Sequence, residues 1–496
     1  VEGNGKAVTY DPQALLRAAR LLKEARLVTP LQPHQERVVK RIQKADQPGL
    51  VVAHGLGSGK TLTAIAAQEA LGVPSTVVVP AALQANYKKE IKKHTQGKRQ
   101  ASKIVSMQNV ARKGEGPSAP LMVVDEAHRA RDTGSKTFET LRKNTSQKRL
   151  LLTGTPFYNR PSDIAPLVNI AAGGKILPED RQDFEDRYIY HLRKNPGLIA
   201  KLRGVSSGSV PIVNPARRKE LQSTLNKWVD YYEGSKENFP EVETQEMKVP
   251  MSQRQLEFYD TLMKKAPFWV RYKVKKGLPP TKQEAGDLNA FLGGVRQVSN
   301  ATAPFQTAGE PEAPKIQKAF EELKKNLDSN PRAKAVVYSN YLQAGLDPYK
   351  KKLTEAGIPY GEFSGQMKKK ERNELVKAYN ENKIRALLLS SAGGEGLDLK
   401  GTRLMQVLEP HWNDEKLRQV IGRGVRYGSH ADLPPEERKV LVQRFLATRP
   451  RTGMLERMGL RSQGLGVDEY LTRLSRDKDR LNTQFRELLR QEDRAK

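Results

Sequence analysis

The stretch His54-Gly-Leu-Gly-Ser-Gly-Lys-Thr61 follows the apolar run Leu50-Val-Val-Ala53 and leads into Leu62-Thr-Ala-Ile-Ala-Ala67. A short β-branched run, a glycine-rich turn and an alanine-rich continuation predict strand, loop and helix, the layout a phosphate-binding loop requires. Glycines let backbone N–H groups converge on phosphate oxygens, and a helix N-terminus adds partial positive charge. Gly55, Gly57, Ser58, Gly59, Lys60 and Thr61 are therefore the candidate nucleotide-binding residues. Lys60 supplies an ammonium and Thr61 a hydroxyl suited to magnesium. His54 stands where the usual G-x-x-x-x-G-K-[ST] pattern has glycine.

Working outward, Leu121-Met-Val-Val-Asp-Glu-Ala-His128 places two carboxylates directly after a buried-strand pattern, where open α/β sheets bind ligands. Asp125 is the expected magnesium-holding group, and Glu126 the residue that orients and deprotonates an attacking water. Arg149-Leu-Leu-Leu-Thr-Gly-Thr-Pro156 is a further strand, ending in Thr153 and Thr155. Those hydroxyls read either as a relay sensing the γ-phosphate or as a plain strand-ending turn. About twenty residues before the loop, Gln35 opens a helix at Leu31-Gln-Pro-His-Gln-Glu-Arg-Val-Val39, as a solvated residue or as one that reads adenine.

Composition narrows the class. The 496 residues exceed what one compact core accommodates. Lys plus Arg number 86 against 56 Asp plus Glu, a net charge of +30, which favours a polyanionic partner and nucleic acid above a membrane surface. No apolar run approaches the roughly 20 residues that span a bilayer, and no secretory leader is visible. Without cysteine, disulfides, thiolate catalysis and cysteine-based zinc sites are excluded, and the seven histidines lack metal-ligand spacing. The first residue is Val1, so the chain reads as trimmed or as a piece of something longer.

Along the chain, Pro12 to Leu27 has a helical pattern, Ser75-Thr-Val-Val-Val79 is a buried strand, and Ile104-Val-Ser-Met107 another. Lys88, Lys89, Lys92 and Lys93 form a basic helix face. From about 170 to 310 the pattern weakens: Asp183 to Leu202, Ala216 to Tyr232 and Gln253 to Lys265 read as helical, Val242 to Val249 as a strand. Lys273, Lys275 and Lys276 either track a phosphate backbone or solvate a loop. Alternating strands and helices return at Lys334 to Asn340, Tyr349 to Ala356, Ile384 to Ser391 and Leu404 to Leu408, a second parallel-sheet lobe without its own phosphate loop. It carries Ser391-Ala-Gly-Gly-Glu-Gly-Leu-Asp-Leu399 and Gln419-Val-Ile-Gly-Arg-Gly-Val-Arg426, whose Arg423 and Arg426 lie on one side of a helical turn, as arginine fingers would. Asp468 to Arg494 has the apolar stripe of a docked terminal helix.

The ordered set of Gly57 to Thr61, Asp125-Glu-Ala-His128, Thr153-Gly-Thr-Pro156, Ser391-Ala-Gly-Gly394 and Gln419 to Arg426 resembles the superfamily two helicases and translocases, in particular their Swi/Snf-like branch. Phe363-Ser-Gly365 and Trp412-Asn413 are also similar to that branch. Gly422-Arg-Gly-Val-Arg-Tyr-Gly-Ser-His430, Leu433 to Arg438 and Val467 to Leu471 resemble phage and large-DNA-virus members such as the poxvirus nucleoside triphosphate phosphohydrolase. Glu395 and Tyr427-Gly-Ser-His430 depart from the chromatin remodellers.

The resemblance implies an α/β chain of two RecA-like parallel-sheet lobes with helical insertions. The expected division is an accessory helix at 1–30, lobe 1 at 31–250 with an insertion near 175–240, lobe 2 at 251–448 with an insertion near 253–310, and a C-terminal helical extension at 449–496. It implies ATP and Mg2+ as cofactors, with Gln35 on adenine, Gly396 and Asp398 near the ribose, and Lys60, Glu126, Arg423 and Arg426 in catalysis. Nucleic-acid contacts would fall to Pro80, Ala81, Ser106, Ser339, Ser391 and Ala392. The activity implied is a DNA-stimulated ATPase translocating on double-stranded DNA, monomeric, of phage or viral origin, in host cytoplasm or associated with virions, with further viral proteins as partners. The alternatives are a strand-separating helicase in viral transcription or repair and a catalytically inert nucleic-acid-binding virion component.

Overall fold

The computed structural model describes residues 13, 27–55, 57–95, 101–154, 160–234, 237–363, 366–390, 397–412, 418, 420–422, 424–426, 428–461 and 463–490. In chain order its strands are β1 Gly49–His54, β2 Ser75–Val79, β3 Ser102–Ser106, β4 Leu121–Val124, β5 Lys148–Thr153, β6 Ile189–Lys194, β7 Gly208–Val213, β8 Val229–Tyr232, β9 Glu241–Pro250, β10 Ala335–Tyr338, β11 Tyr360–Phe363, β12 Ala386–Leu389, β13 Leu404–Val407 and β14 Lys439–Thr448. The chain divides into two compact units. Unit 1 takes residues 1–190, 212–236 and 482–496; unit 2 takes 191–211 and 237–481.

Unit 1 is built on a parallel sheet of order β3-β2-β4-β5-β1-β8. Every residue of β1 and β4 is buried, which is why these strands read as unbroken apolar runs rather than as alternation. The helix Lys60–Leu71 is buried from Leu62 through Glu69. Its alanines Ala64, Ala66 and Ala67 let it lie close beneath the helix Pro33–Gln43, whose Val38, Val39 and Ile42 belong to the same apolar core. Each fully buried leucine or valine there contributes about 1.5–3 kcal/mol relative to exposure.

Unit 2 holds a second parallel sheet, β11-β12-β10-β13-β14-β9. Beside it the helices Gln253–Lys264, Phe268–Lys276 and Glu284–Asn300 share a core with Val467, Tyr470, Leu471 and Leu474 of the long helix Val467–Arg490. The two-lobed parallel-sheet architecture is as the sequence predicts.

Three local readings change. β9 pairs with β14 from Glu241↔Lys439 to Pro250↔Thr448, so it is an edge strand of the second sheet and the lobe boundary falls near residue 237 rather than 250. The segment read as a helix from Asp183 to Leu202 is a helix Arg181–Tyr188, the strand β6 and a short helix Leu198–Leu202, with β6 and β7 forming a separate two-stranded ribbon. The helix expected to run from Ala216 to Tyr232 stops at Trp228, and Val229–Tyr232 becomes β8, the outer neighbour of β1. Of the N-terminal helix, Gln13 is helical and Leu27 bridges Thr95; the rest lies outside the described residues. Among the described residues no helix is long and apolar enough to cross a membrane.

Candidate nucleotide-binding and hydrolysis site

The loop after β1 turns through Gly57 and Gly59, both at φ 73°, a left-handed conformation that favours glycine. A Cβ on Gly59 would also lie 2.6 Å from Gln35 Nε2, and one on Gly55 only 2.0 Å from the Glu233 carbonyl oxygen. Lys60 begins the following helix and Thr61 is half-buried. The Ser58 hydroxyl is buried and, among the described residues, has no hydrogen-bond partner. An orphaned hydroxyl inside a glycine turn, followed by a lysine at a helix N-terminus, fits a phosphate group.

Two residues of the preceding helix hold this loop. His34 Nε2 donates to the Ser58 carbonyl at 2.6 Å, and its ring stacks on Tyr232 with centroids 3.9 Å apart. Gln35 accepts from the Gln32 N–H at 2.8 Å and donates to the Gly59 carbonyl at 3.0 Å. The side chain expected to read adenine is here committed to the loop backbone and to capping its own helix. Burial chiefly lowers the His34 pKa, so the ring is held as the neutral donor.

Asp125 and Glu126 follow β4. The Asp125 N–H continues the sheet to Val78 O at 2.8 Å, while Glu126 turns left-handed at φ 50° and donates its own N–H to Asp125 Oδ1 at 2.9 Å. Burial raises the Asp125 carboxyl pKa, opposed by that N–H and by Lys60. Burial lowers the Lys60 ammonium pKa, opposed by the attraction of Glu126 and Asp125. His128 connects the acids to the next strand: Nε2 lies 3.3 Å from Glu126 Oε2 and Nδ1 3.2 Å from the hydroxyl of Thr153, the last residue of β5. Lysine, acid pair and hydroxyl thus converge at the carboxyl ends of β1, β4 and β5. No group of three or more His, Cys, Asp or Glu able to hold a metal occurs among the described residues.

Beneath the loop lies a network that sequence reasoning missed. His54 Nε2 contacts Asp230 Oδ1 at 2.7 Å, Arg37 reaches both Asp230 oxygens at 2.9 and 2.8 Å, and Arg41 reaches Oδ2 at 3.1 Å. Burial alone would raise the Asp230 carboxyl, but the hydrogen bonds from His54 and Arg37 and the Arg37 charge outweigh it and hold that carboxyl far below the usual range. The histidine at the first position of the loop pattern is therefore a tie between β1 and β8. The only sequence signal was its departure from glycine.

In unit 2, Arg426 donates from Nε to the Gly422 carbonyl at 3.2 Å, and its Nη1 lies 3.9 Å from Asp398 Oδ1. Arg423, Ser391, Ala392, Gly396 and Thr155 lie outside the described residues. Of the expected nucleic-acid contacts, Pro80 is buried, while Ala81 is exposed with its N–H donated to Gln108 Oε1 at 3.1 Å. The Ser106 hydroxyl is buried as a helix N-cap, accepting from the Asn109 N–H at 3.0 Å. Ser339 is fully buried and donates to Glu409 Oε2 at 2.9 Å. Neither serine hydroxyl faces outward, so any contact at these strand ends would have to use backbone.

The lowered His34 pKa carries a stability prediction. The unfolded chain takes up this proton near pH 6.5, whereas the folded chain refuses it until lower pH, so stability falls as pH drops below about 6.5, by at most about 1.4 kcal/mol per pH unit. Asp230, with its depressed carboxyl, contributes stability above its unfolded pKa near 4 that disappears only as pH falls through the lower folded value. The raised Asp125 carboxyl acts in the opposite sense, gaining its proton first in the folded chain. Melting followed from pH 7 to 5 should therefore show a shallower decline for His34→Gln than for the unaltered chain.

Comparison with known proteins identifies two domains in the chain. An SNF2-related domain is recognised over residues 102–302 and a helicase conserved C-terminal domain over 318–428. The chain thus carries the two domains that characterise the Swi/Snf-like branch of the superfamily two helicases and translocases. This Swi/Snf-like ATPase is 29% identical to an Acanthamoeba polyphaga mimivirus protein provisionally named an ATP-dependent RNA helicase, over 92% of the chain and 96% of that relative. It is 23% identical to an African swine fever virus homologue of the termination factor NPH-I, over 89% of the chain and 75% of the relative. A Sulfolobus solfataricus SWI2/SNF2 ATPase core, solved with double-stranded DNA, aligns over 94% of this chain and 98% of its own at 18% identity and a TM-score of 0.36. The Swi/Snf-like chain is accordingly an ATP-hydrolysing enzyme of the helicase and translocase type.

Proposed function

We propose that this Swi/Snf-like ATPase is a motor that tracks along double-stranded DNA, hydrolysing ATP with the residues gathered at the ends of β1, β4 and β5. The observation that carries the chemistry is the placement of Lys60 at the helix N-terminus after β1, of Asp125 and Glu126 at the end of β4 and of Thr153 at the end of β5, linked through His128, with the orphaned Ser58 hydroxyl in the loop. Lys60 and the loop N–H groups bind the phosphates. Glu126, positioned beside His128, accepts the proton of the attacking water. A magnesium ion held by Thr61 and Asp125 would neutralise charge on the phosphoryl oxygens. By the family resemblance, Arg423 and Arg426 are proposed to stabilise the same charge.

The net charge of +30 supports a nucleic-acid partner held mainly through phosphates, as sequence-independent tracking requires. The expected result is hydrolysis stimulated at least tenfold by duplex DNA and little by single strands, together with displacement of a triplex-forming strand without separation of the duplex. Stimulation by single strands or RNA with unwinding would instead assign a strand-separating helicase. Absence of hydrolysis under every condition would leave an inert nucleic-acid-binding protein.

A further inference from the structure

The ribbon formed by β6 and β7 carries a tip that the site described above does not use. Between the strands, the short helix Leu198–Leu202 exposes Leu198, Ile199 and Leu202 at 74, 76 and 80% of their surface. Single exposed aliphatics are ordinary; three within one helical turn, each this bare, are not.

The tip is nevertheless anchored. Ala200 and Val205 are buried, the Gly197 N–H donates to the Tyr272 hydroxyl at 2.9 Å, and the Arg203 guanidinium lies 3.8 Å from the centre of the Phe268 ring. On the far side of the loop, the Ser206 hydroxyl donates to Glu284 at 2.9 Å, and Glu284 is bound at 2.7 Å by the buried Lys273. Lys273, read from sequence as a phosphate or solvent lysine, is thus a fastener for this loop. Residues 191–211 and the helices that hold them all belong to unit 2.

Charge identifies the occupant. From Arg187 through Lys219 the sequence contains no carboxylate, and none occurs from Thr261 through Gln283 on the anchoring segment. Arg193, Lys194, Lys201, Arg271, Lys275 and Lys276 are exposed on these two packed segments. Apolar side chains set in a field of fixed cations do not suit an acid-poor protein partner or bulk solvent. They suit a polyanion whose interior is apolar, because aliphatic wedges enter unstacked base steps while flanking cations take the phosphates.

We propose that the ribbon tip is a nucleic-acid wedge: Leu198, Ile199 and Leu202 press into an opened base step, and Arg193, Lys194 and Lys201 engage the phosphates on either side. The proposal rests on the reading of the chain as a nucleic-acid motor. The absence of cysteine supplies a clean probe, since Ile199→Cys introduces a unique thiol for an aryl-azide crosslinker. Glu355→Cys, exposed on another helix of unit 2, is the reference.

With duplex DNA containing 2-aminopurine, the azide at position 199 is expected to crosslink at least fivefold more than at 355. Binding of the unaltered chain should raise the 2-aminopurine fluorescence. The triple variant L198S/I199S/L202S should lose most of that rise while basal hydrolysis without DNA stays within twofold. Equal crosslinking from 199 and 355, or an undiminished fluorescence rise in the triple variant, would overturn the wedge even where DNA still stimulates hydrolysis. Failure of the unaltered chain to respond to any nucleic acid would instead remove the motor reading itself. Should the triple variant not fold, the crosslinking comparison decides.

Discussion

Glu126→Gln is expected to leave ATP affinity within a few-fold of the unaltered chain while turnover falls about 10²–10⁴-fold, the range associated with a positioned general base. The amide keeps the size of the side chain and its place beside His128, whose Nε2 lies 3.3 Å from Glu126 Oε2, but it accepts a proton far less readily. In the proposed site phosphate binding rests on other groups, namely Lys60, Ser58 and the backbone of the loop, so fluorescent-nucleotide titration should register little change. Steady-state phosphate release measures the other half. A variant that hydrolyses ATP normally would remove Glu126 from the role assigned to it and leave Asp125 as the remaining candidate.

Asp230→Ala is expected to destabilise unit 1 by about 3–5 kcal/mol, because removing one partner leaves the others as buried, uncompensated groups. The carboxylate is completely buried, and Arg37 and Arg41, with side chains 24 and 14% exposed, have little access to water in its place. His54 is buried as well and would lose its 2.7 Å partner. For a unit of this size the loss corresponds to a fall in melting temperature on the order of 10 °C. Differential scanning calorimetry should show it, with Asp230→Asn retaining part of the stability through its remaining acceptor oxygen. An unchanged transition would mean that the network contributes specificity of packing rather than stability.

The parts of the molecule legible in the sequence are those whose signals are local. A fully buried strand such as β1 or β4 is an apolar run wherever its partners lie, and the glycine turn before Lys60 has to be encoded in consecutive residues. The candidate catalytic acids could be named because they sit at the end of such a strand. β8 was not legible: Val229-Asp-Tyr-Tyr232 follows a helix without a break, and its aspartate argues against burial until the two arginines and the histidine that satisfy it are seen. The assignment of β9 failed for a related reason. Its alternation announces a strand, but pairing with β14 joins residues nearly two hundred positions apart, and periodicity carries no record of a partner. Gln35 illustrates a third kind of ambiguity, since a residue type suited to reading a base is equally suited to capping a helix, and the sequence does not distinguish the two.

The late arrival of β8 has a consequence for biosynthesis. The strand that braces β1 becomes available only after the ribbon has been made, and the last turns of the helix Val467–Arg490 also belong to unit 1. There Gln484 accepts from the Val213 N–H at 2.9 Å, Phe485 lies 6.2 Å from Phe184, and Arg490 pairs with Glu233. A ribosome therefore has to release the chain as far as the end of this helix before unit 1 can be finished, although residues 27–190 of that unit precede all of unit 2 in the sequence. Shortened polypeptides ending before Val229 should emerge with Arg37, Arg41 and His54 lacking their shared carboxylate partner, and a nascent chain has reason to be held by chaperones until the helix Val467–Arg490 has emerged.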